Sequence, residues 1–378
     1  MAKIKQIFLL TNLIIPVLIY SQIVAGANQL DLYLPLLKSK NVAIVGNQTS
    51  VIEDCHLVDT LLARDVRVKK VFSPEHGFRG NQDAGKIIQS EIDHKTQLPI
   101  ISLYGSNKKP QKKDLKDIDI ILFDIQDVGV RFYTYISTLH YVMQASAEND
   151  IHCIVLDRPN PNAHYIDGPI LEKEYSSFVG MHPVPIVYGM TIGEYAKMIN
   201  GEKWIEKKCK LTVIPIKNYH HIDHYSLPIN PSPNLRNSRS INLYPSLCLF
   251  EGTNISVGRG TEYPFQHFGA PYLKSTYSFT PISSYGSKSP KYQDIECFGA
   301  DLRYQDDYLY SINLDWIIEA YKQSPDQKEF FNNFFDKLAG NRRLREQIIS
   351  GLDSKQIKES WKKDLDNFLE IRNKYLLY

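Results

Sequence analysis

Residues 118–125, IDIILFDI, restrict the fold more than any other stretch of this chain. A near-continuous apolar run, rich in branched residues and without alternation, suits a strand covered on both faces, as in a parallel sheet. Shorter runs of the same character recur at 42–45, 69–72, 99–103, 151–156 and 211–216. Helical patterns separate them. Residues 56–64 put Leu57, Leu61 and Leu62 on one face, and 134–148 do the same with Ile136, Leu139, Val142 and Met143. Thr191-Ile192-Gly193-Glu194 forms a capping box that opens a further helix. Strands and helices in alternation predict an α/β domain around a mainly parallel sheet.

The character of the chain changes near residue 230. Asn230-Pro231-Ser232-Pro233-Asn234 is rich in turn formers. Segments dense in Tyr, Pro and Gly follow, then helical patterns from about residue 314. Trp316, Ile317 and Tyr321 share one face, and Phe331, Phe334, Phe335 and Leu338 another. We read a Rossmann-like domain over 28–238 and a smaller α+β domain over 239–378.

Residues 1–27 read as an export leader. Lys3 and Lys5 precede an apolar stretch at 7–20 broken by Pro16, and Ala25-Gly26-Ala27 supplies a small-x-small cleavage pattern, so the cut is expected after about Ala27. The stretch falls short of the ~20 apolar residues of a spanning helix. The expected product is exported, periplasmic or extracellular, with no stable membrane anchor. Export permits disulfides. The five cysteines are nevertheless odd in number, widely spaced and set among apolar neighbours, which suits buried free thiols.

With 44 basic and 42 acidic residues the net charge is +2 and no basic stripe is present, so a nucleic-acid partner is not expected. Tyrosine, at 24 residues, offers flat faces with a hydroxyl, suited to carbohydrate as well as to half-buried packing.

Polar residues gather where the strands end. Gly46-Asn47-Gln48-Thr49, Ser73-Pro74-Glu75-His76-Gly77, Gln126-Asp127-Val128-Gly129-Val130-Arg131 and Asp157-Arg158-Pro159-Asn160 each follow an expected strand. Ligands of open parallel sheets bind at that edge. GxGxxG and the P-loop are absent, which argues against a nucleotide cofactor. HExxH is absent, and His220-His221-Ile222-Asp223-His224 reads as a polar loop, so no metal is expected. There is no GxSxG elbow. Carboxylate chemistry is left. Glu75, between Pro74, which fixes the backbone, and Gly77, which lets it turn, is the candidate acid. Asp127 is the candidate second carboxylate, or a loop-capping residue. Arg131 and Arg158 suit an anionic substrate group, or pin Asp127 and Asp157.

The motifs SPEHGFRG, DIQDVGVRFYTYISTL, LDRPNPN with a later DGP, YGMTIGE, SPNL and FEGTNISVGRGT resemble the exo-β-N-acetylmuramidase (NamZ) family from about residue 41 to the C-terminus. Arg236 after SPNL departs from that pattern, where a proline is expected. The resemblance implies a cleft between a Rossmann-like domain and a smaller one. It also implies release of non-reducing terminal N-acetylmuramic acid from peptidoglycan fragments, and it places the family's proposed catalytic glutamate on Glu75. Arg131, Arg158 or Arg259 would then hold the lactyl carboxylate, and Asn47 and Asn254 would take hydroxyls or the acetamido group. His76, Gln126 and Glu251 complete the expected substrate-binding set. The other readings are a non-catalytic wall-glycan binder and a wall amidase or esterase.

Overall fold

The structure is a computed structural model that describes residues 22–75, 77–79, 91–304 and 308–378. Its centre is a seven-stranded sheet. In chain order the strands are β1 (Asn41–Gly46), β2 (Arg67–Ser73), β3 (Glu91–Ile92), β4 (Pro99–Ser102), β5 (Ile120–Asp124), β6 (His152–Leu156) and β7 (Leu211–Ile214). They lie side by side as β3-β4-β2-β1-β5-β6-β7. All neighbours pair parallel except the edge strand β3. Without β3 this is the doubly wound order whose direction reverses beside the first strand, between β1 and β5.

The apolar runs are continuous because both faces of each strand are covered. Val42, Ile44, Leu122, Ile154 and Leu156 face Tyr33, Leu37, Leu57 and Leu61 of the helices α1 (Leu30–Leu37) and α2 (Leu57–Leu62). Ala43, Val45, Phe72, Phe123 and Val155 face the other way, onto α3 (Tyr135–Glu148) and α4 (Ile192–Gly201). Thr191 caps α4 as expected: its hydroxyl accepts from Glu194 N, and Glu194 Oε2 accepts from Thr191 N.

Register aligns the strand ends. Val45 lies opposite Phe72 and Phe123, and Phe123 opposite Val155, so the loops after β1, β2, β5 and β6 emerge at one edge.

The second part begins with α5 (Ser238–Leu247), which the sequence reading left unassigned, and runs on through a short 3-10 turn, Cys248–Gly252. A three-stranded antiparallel sheet follows: β8 (His267–Ala270), β9 (Tyr277–Phe279) and β10 (Cys297–Asp301), with β10 in the middle. Its strands are short and rich in glycine, so no period-2 pattern announces them. Helices from Asp315 complete this part, but the expected Phe face is split. Phe335 and Leu338 are buried, Phe331 lies outside any helix, and Phe334 is exposed.

The chain near the expected leader boundary is built into the sheet domain. Val24 pairs with Lys217, Gly26 N donates to Asp157 O at 2.8 Å, and buried Ala27 accepts from the Tyr33 hydroxyl at 2.8 Å. A side chain at Gly26 would meet Ile214 O at 2.4 Å. A cut after Ala27 would remove these contacts. Residues 1–21 lie outside the described residues.

Candidate active site

Beside the carboxyl edge of the sheet, the two parts of the chain enclose a cleft of about 180 Å³. Glu75 enters it from the β2 loop. Glu251 and Arg259 enter from the second part, and Tyr133, Tyr135, Tyr244 and Phe265 line it. The loop after β2 turns sharply because Gly77 takes φ +80° and its N–H donates back to Pro74 O. Glu75 is half-buried. The Tyr104 hydroxyl bonds to it, and burial together with the Glu75 charge pushes that phenol up to about 12. His76 falls outside the described residues.

In the same cleft, Glu251 accepts both Nε and Nη2 of Arg259 at 3.0 Å. The pair is about one-quarter exposed, at 26% and 30% for the two side chains. The Arg259 guanidinium lies 4.9 Å from the centroid of the Phe265 ring. Its Nη1 is bonded to no described residue. Gly258, at φ +73°, lets this loop fold onto His267: a Cβ there would sit 2.0 Å from the imidazole Nε2. From behind, Lys291 Nζ donates to the carbonyls of Phe250, Thr253 and Ile255. That fixes the turn that carries Glu251.

The aromatic walls pack edge to face. Tyr133 and Tyr135 are 4.8 Å apart, Tyr133 and Tyr244 6.0 Å, and Tyr244 and Phe265 5.0 Å. The sequence reading missed these residues. Their signal was the FYTY run inside a chain rich in tyrosine, and ordinary packing explained it equally well.

Several expected site residues stand one layer back or are committed elsewhere. Asn47 is buried beneath Tyr135 and donates to its hydroxyl at 2.9 Å, while Asn47 Oδ1 accepts the amide and hydroxyl of Thr49. Asp127 does not line the cleft. Its Oδ2 accepts from Gly129 N at 2.7 Å and from the Tyr188 hydroxyl, while Oδ1 has no partner among the described residues. Burial raises its carboxyl to about 6, against the lowering pull of those bonds. This is the loop-capping alternative, with one oxygen left over.

Four further expectations are corrected. Gln126 spends its amide on the Asp127 and Pro159 carbonyls at 2.8 and 2.7 Å. Arg131 is fully buried and donates to the carbonyls of Pro169, Val184, Leu338 and Ala339. It therefore ties the two parts of the chain together and is closed to substrate. Burial without a neighbouring carboxylate lowers its guanidinium to about 9. Arg158 is locked bidentately onto the buried Asp124 at 2.6 and 2.9 Å, a partner that the sequence reading did not name. Asn254 turns away from the cleft and accepts from the Tyr272 hydroxyl at 2.5 Å. The expectations fail for a shared reason: a strand-end loop must satisfy its own buried polar groups before it can serve a ligand.

A second cavity of about 440 Å³ lies against the last helices, walled by Leu171, Leu344, Trp361 and Phe368. It is larger, but it lies away from the strand ends and none of the expected site residues lines it.

Two carboxylates facing one aromatic-walled cleft, beside the carboxyl edge of a doubly wound sheet, define an α/β protein whose site chemistry is that of carboxylates. Comparison with known proteins sharpens the class. The family model "Exo-beta-N-acetylmuramidase NamZ, N-terminal" matches residues 42–239 and its C-terminal counterpart residues 242–378. The peptidoglycan β-N-acetylmuramidase NamZ of Bacillus subtilis strain 168 is 42% identical over 375 residues, covering 92% of this chain and 89% of that protein. Two crystal structures of DUF1343 family proteins from Bacteroides fragilis NCTC 9343 share the fold. One has a TM-score of 0.89 at 47% identity, over 95% of this chain and 99% of the other. The second has 0.81 at 30%, over 94% and 99%. The chain belongs to the exo-β-N-acetylmuramidase NamZ family.

Proposed function

We propose that this protein is an exo-acting β-N-acetylmuramidase, a glycoside hydrolase that removes N-acetylmuramic acid from the non-reducing end of peptidoglycan-derived saccharides. The observation that carries the reading is the pair Glu75 and Glu251, brought by two separate parts of the chain to one cleft walled by tyrosines. Glycoside hydrolysis needs an acid for the leaving oxygen and a second carboxylate for the charge that develops on the sugar ring. Glu75, half-buried and bonded to Tyr104, is the acid. Glu251, paired through both oxygens with Arg259, faces the developing oxocarbenium charge. Arg259 Nη1 is the donor for the lactyl carboxylate, which distinguishes a muramyl from a glucosaminyl sugar. Tyr133, Tyr135 and Tyr244 provide apolar faces for the pyranose.

The lysine-led apolar stretch at the N-terminus supports export to the compartment that holds peptidoglycan. The Val24 to Ala27 contacts favour a leader ending upstream of Val24. N-terminal sequencing of protein recovered outside the cytoplasm checks this, and an intact Met1 would refute it.

The deciding experiment uses chromogenic β-glycosides of N-acetylmuramic acid and N-acetylglucosamine. Hydrolysis of the first and not the second is expected. Tight binding of the muramyl sugar without turnover would favour a glycan-binding protein. Turnover of wall peptides or esters instead would favour an amidase or esterase.

A further inference from the structure

Beside the cleft, one face of the small antiparallel sheet carries a cluster of rings that the chemistry above leaves unused. Phe279 lies over Gly269, where a Cβ would approach its ring at 2.9 Å, and stacks on His267 at 4.0 Å. The Tyr277 hydroxyl bonds to His267 Nδ1 at 2.6 Å. Arg303 lies against three tyrosines, with its guanidinium carbon 4.6 Å from the Tyr263 ring, 5.6 Å from Tyr277 and 5.2 Å from Tyr304. Asp301 grips Arg303 through Nε and Nη2 at 2.9 and 2.8 Å and holds the guanidinium in place. Tyr304 is 79% exposed, although a large aromatic side chain gains most by burial.

The cluster is continuous with the cleft. Thr261, two residues past Arg259, bonds to His267 through its hydroxyl at 3.0 Å. Tyr263 stands two residues before Phe265, which lines the cleft. Two residues span at most ~7 Å, so the platform begins within that reach of the site. The cleft holds about 180 Å³, less than the ~300 Å³ at which ligand sites usually begin. A substrate longer than its terminal sugar must therefore lie partly outside.

On the reading of the protein as an exo-muramidase, we propose that Tyr263, Tyr277, Tyr304 and Arg303 form a platform for the sugars that follow the scissile bond in a peptide-free glycan strand. Ring faces edged by hydroxyls match the apolar faces and equatorial groups of acetamido sugars. Arg303 is already paired with Asp301, so the surface offers ring faces rather than free charge, and it suits the pyranose rings of a strand better than a stem peptide.

The test compares wild type with Tyr304→Ala, whose exposed ring supports no core packing. Three substrates are used: the chromogenic muramyl glycoside, and peptide-free glycan strands of two and of six sugars ending in N-acetylmuramic acid. Expected is an unchanged kcat/KM on the chromogenic glycoside, a smaller change on the disaccharide, which places one sugar past the scissile bond, and a roughly fivefold rise in KM for the hexasaccharide, the size of a modest aromatic contact. Arg303→Gln should act in the same direction. Co-sedimentation with insoluble glycan strands, stripped of peptide or intact, needs no turnover, and loss of retention on stripped strands in Tyr304→Ala supports the platform. Equal KM for two and six sugars in wild type, an equal loss on all three substrates, or retention only on peptide-bearing strands overturns it. Failure of wild type to cleave the chromogenic glycoside counts against the muramidase reading alone, because retention still tests the platform.

Discussion

Glu75 and the arginines divide sharply in what substitution should do. Glu75→Gln keeps the shape of the side chain and cannot deliver a proton. General acid catalysis contributes ~10²–10⁴-fold, so turnover of a natural disaccharide should fall by that range with melting temperature unchanged. A nitrophenyl glycoside, whose leaving group needs less protonation, should lose less. Equal losses on both would remove Glu75 from the acid role. Arg259→Ala should erase much of the preference for muramyl over glucosaminyl substrates, because a charge-assisted bond contributes ~1.5–3 kcal/mol. If the folded mutant keeps its preference, the lactyl group is read elsewhere. Arg131→Met should do the opposite. It leaves the carbonyls of Pro169, Val184, Leu338 and Ala339 without their donor, and a loss of at least ~3 kcal/mol of stability is expected with selectivity intact in the protein that folds. Denaturant melts alongside substrate ratios separate the two arginines.

The 3-10 turn after α5 is anchored from behind by Lys291. Three carbonyls of residues 250–255 converge on the Lys291 ammonium. The Tyr292 hydroxyl adds a bond to Asn254 O at 2.7 Å. Burial lowers the lysine and Glu251 supports its charge, so anchor and cleft carboxylate are electrostatically joined. Lys291→Met preserves the stem and removes the donors. The turn should then relax and carry Glu251 and Arg259 out of position. A displacement of about 1 Å in a catalytic group can cost ~10²-fold, so kcat/KM should fall on the order of 10–10²-fold, with a smaller effect on thermal stability. A mutant that melts earlier yet turns over at the normal rate would show that the lysine serves only the fold.

For the whole molecule, buried titratable groups set the pH range of stability. His56, His140, His152, His164, His182 and His267 all sit below the ordinary value near 6.5, in each case chiefly through burial, with His140 and His267 at about 4. Each stays neutral while folded and takes up a proton on unfolding, so each withdraws stability as pH falls from about 6.5 towards its folded value. Asp127 at about 6, Asp157 at about 7 and Asp336 act in the opposite sense, since burial makes them hold protons while folded. Six histidines outweigh three acids across the shared window. Melting temperature should therefore drop between pH 7 and pH 5, measured by circular dichroism at constant ionic strength. A flat or rising profile would mean that the carboxyls dominate.

The sheet was legible because it is local chemistry repeated. Each apolar run had to be covered on both faces, and each strand needed a helix to return, so IDIILFDI and its neighbours determined a parallel α/β domain before any contact was known. Gly77 and Pro74 likewise announced a sharp turn that presents Glu75. What the sequence left open was which polar residues of the strand-end loops were already committed. Arg158 on Asp124, Arg131 on four carbonyls and Gln126 on Pro159 satisfy buried groups contributed by segments that lie dozens to hundreds of residues away. The resemblance named Glu75, Glu251 and Arg259 for one site; that Glu251 grips Arg259 bidentately beside Glu75 appears only where the second part of the chain closes over the first. A local pattern determines what a segment becomes; which side chains remain available to a ligand depends on hydrogen-bond satisfaction across the whole tertiary structure.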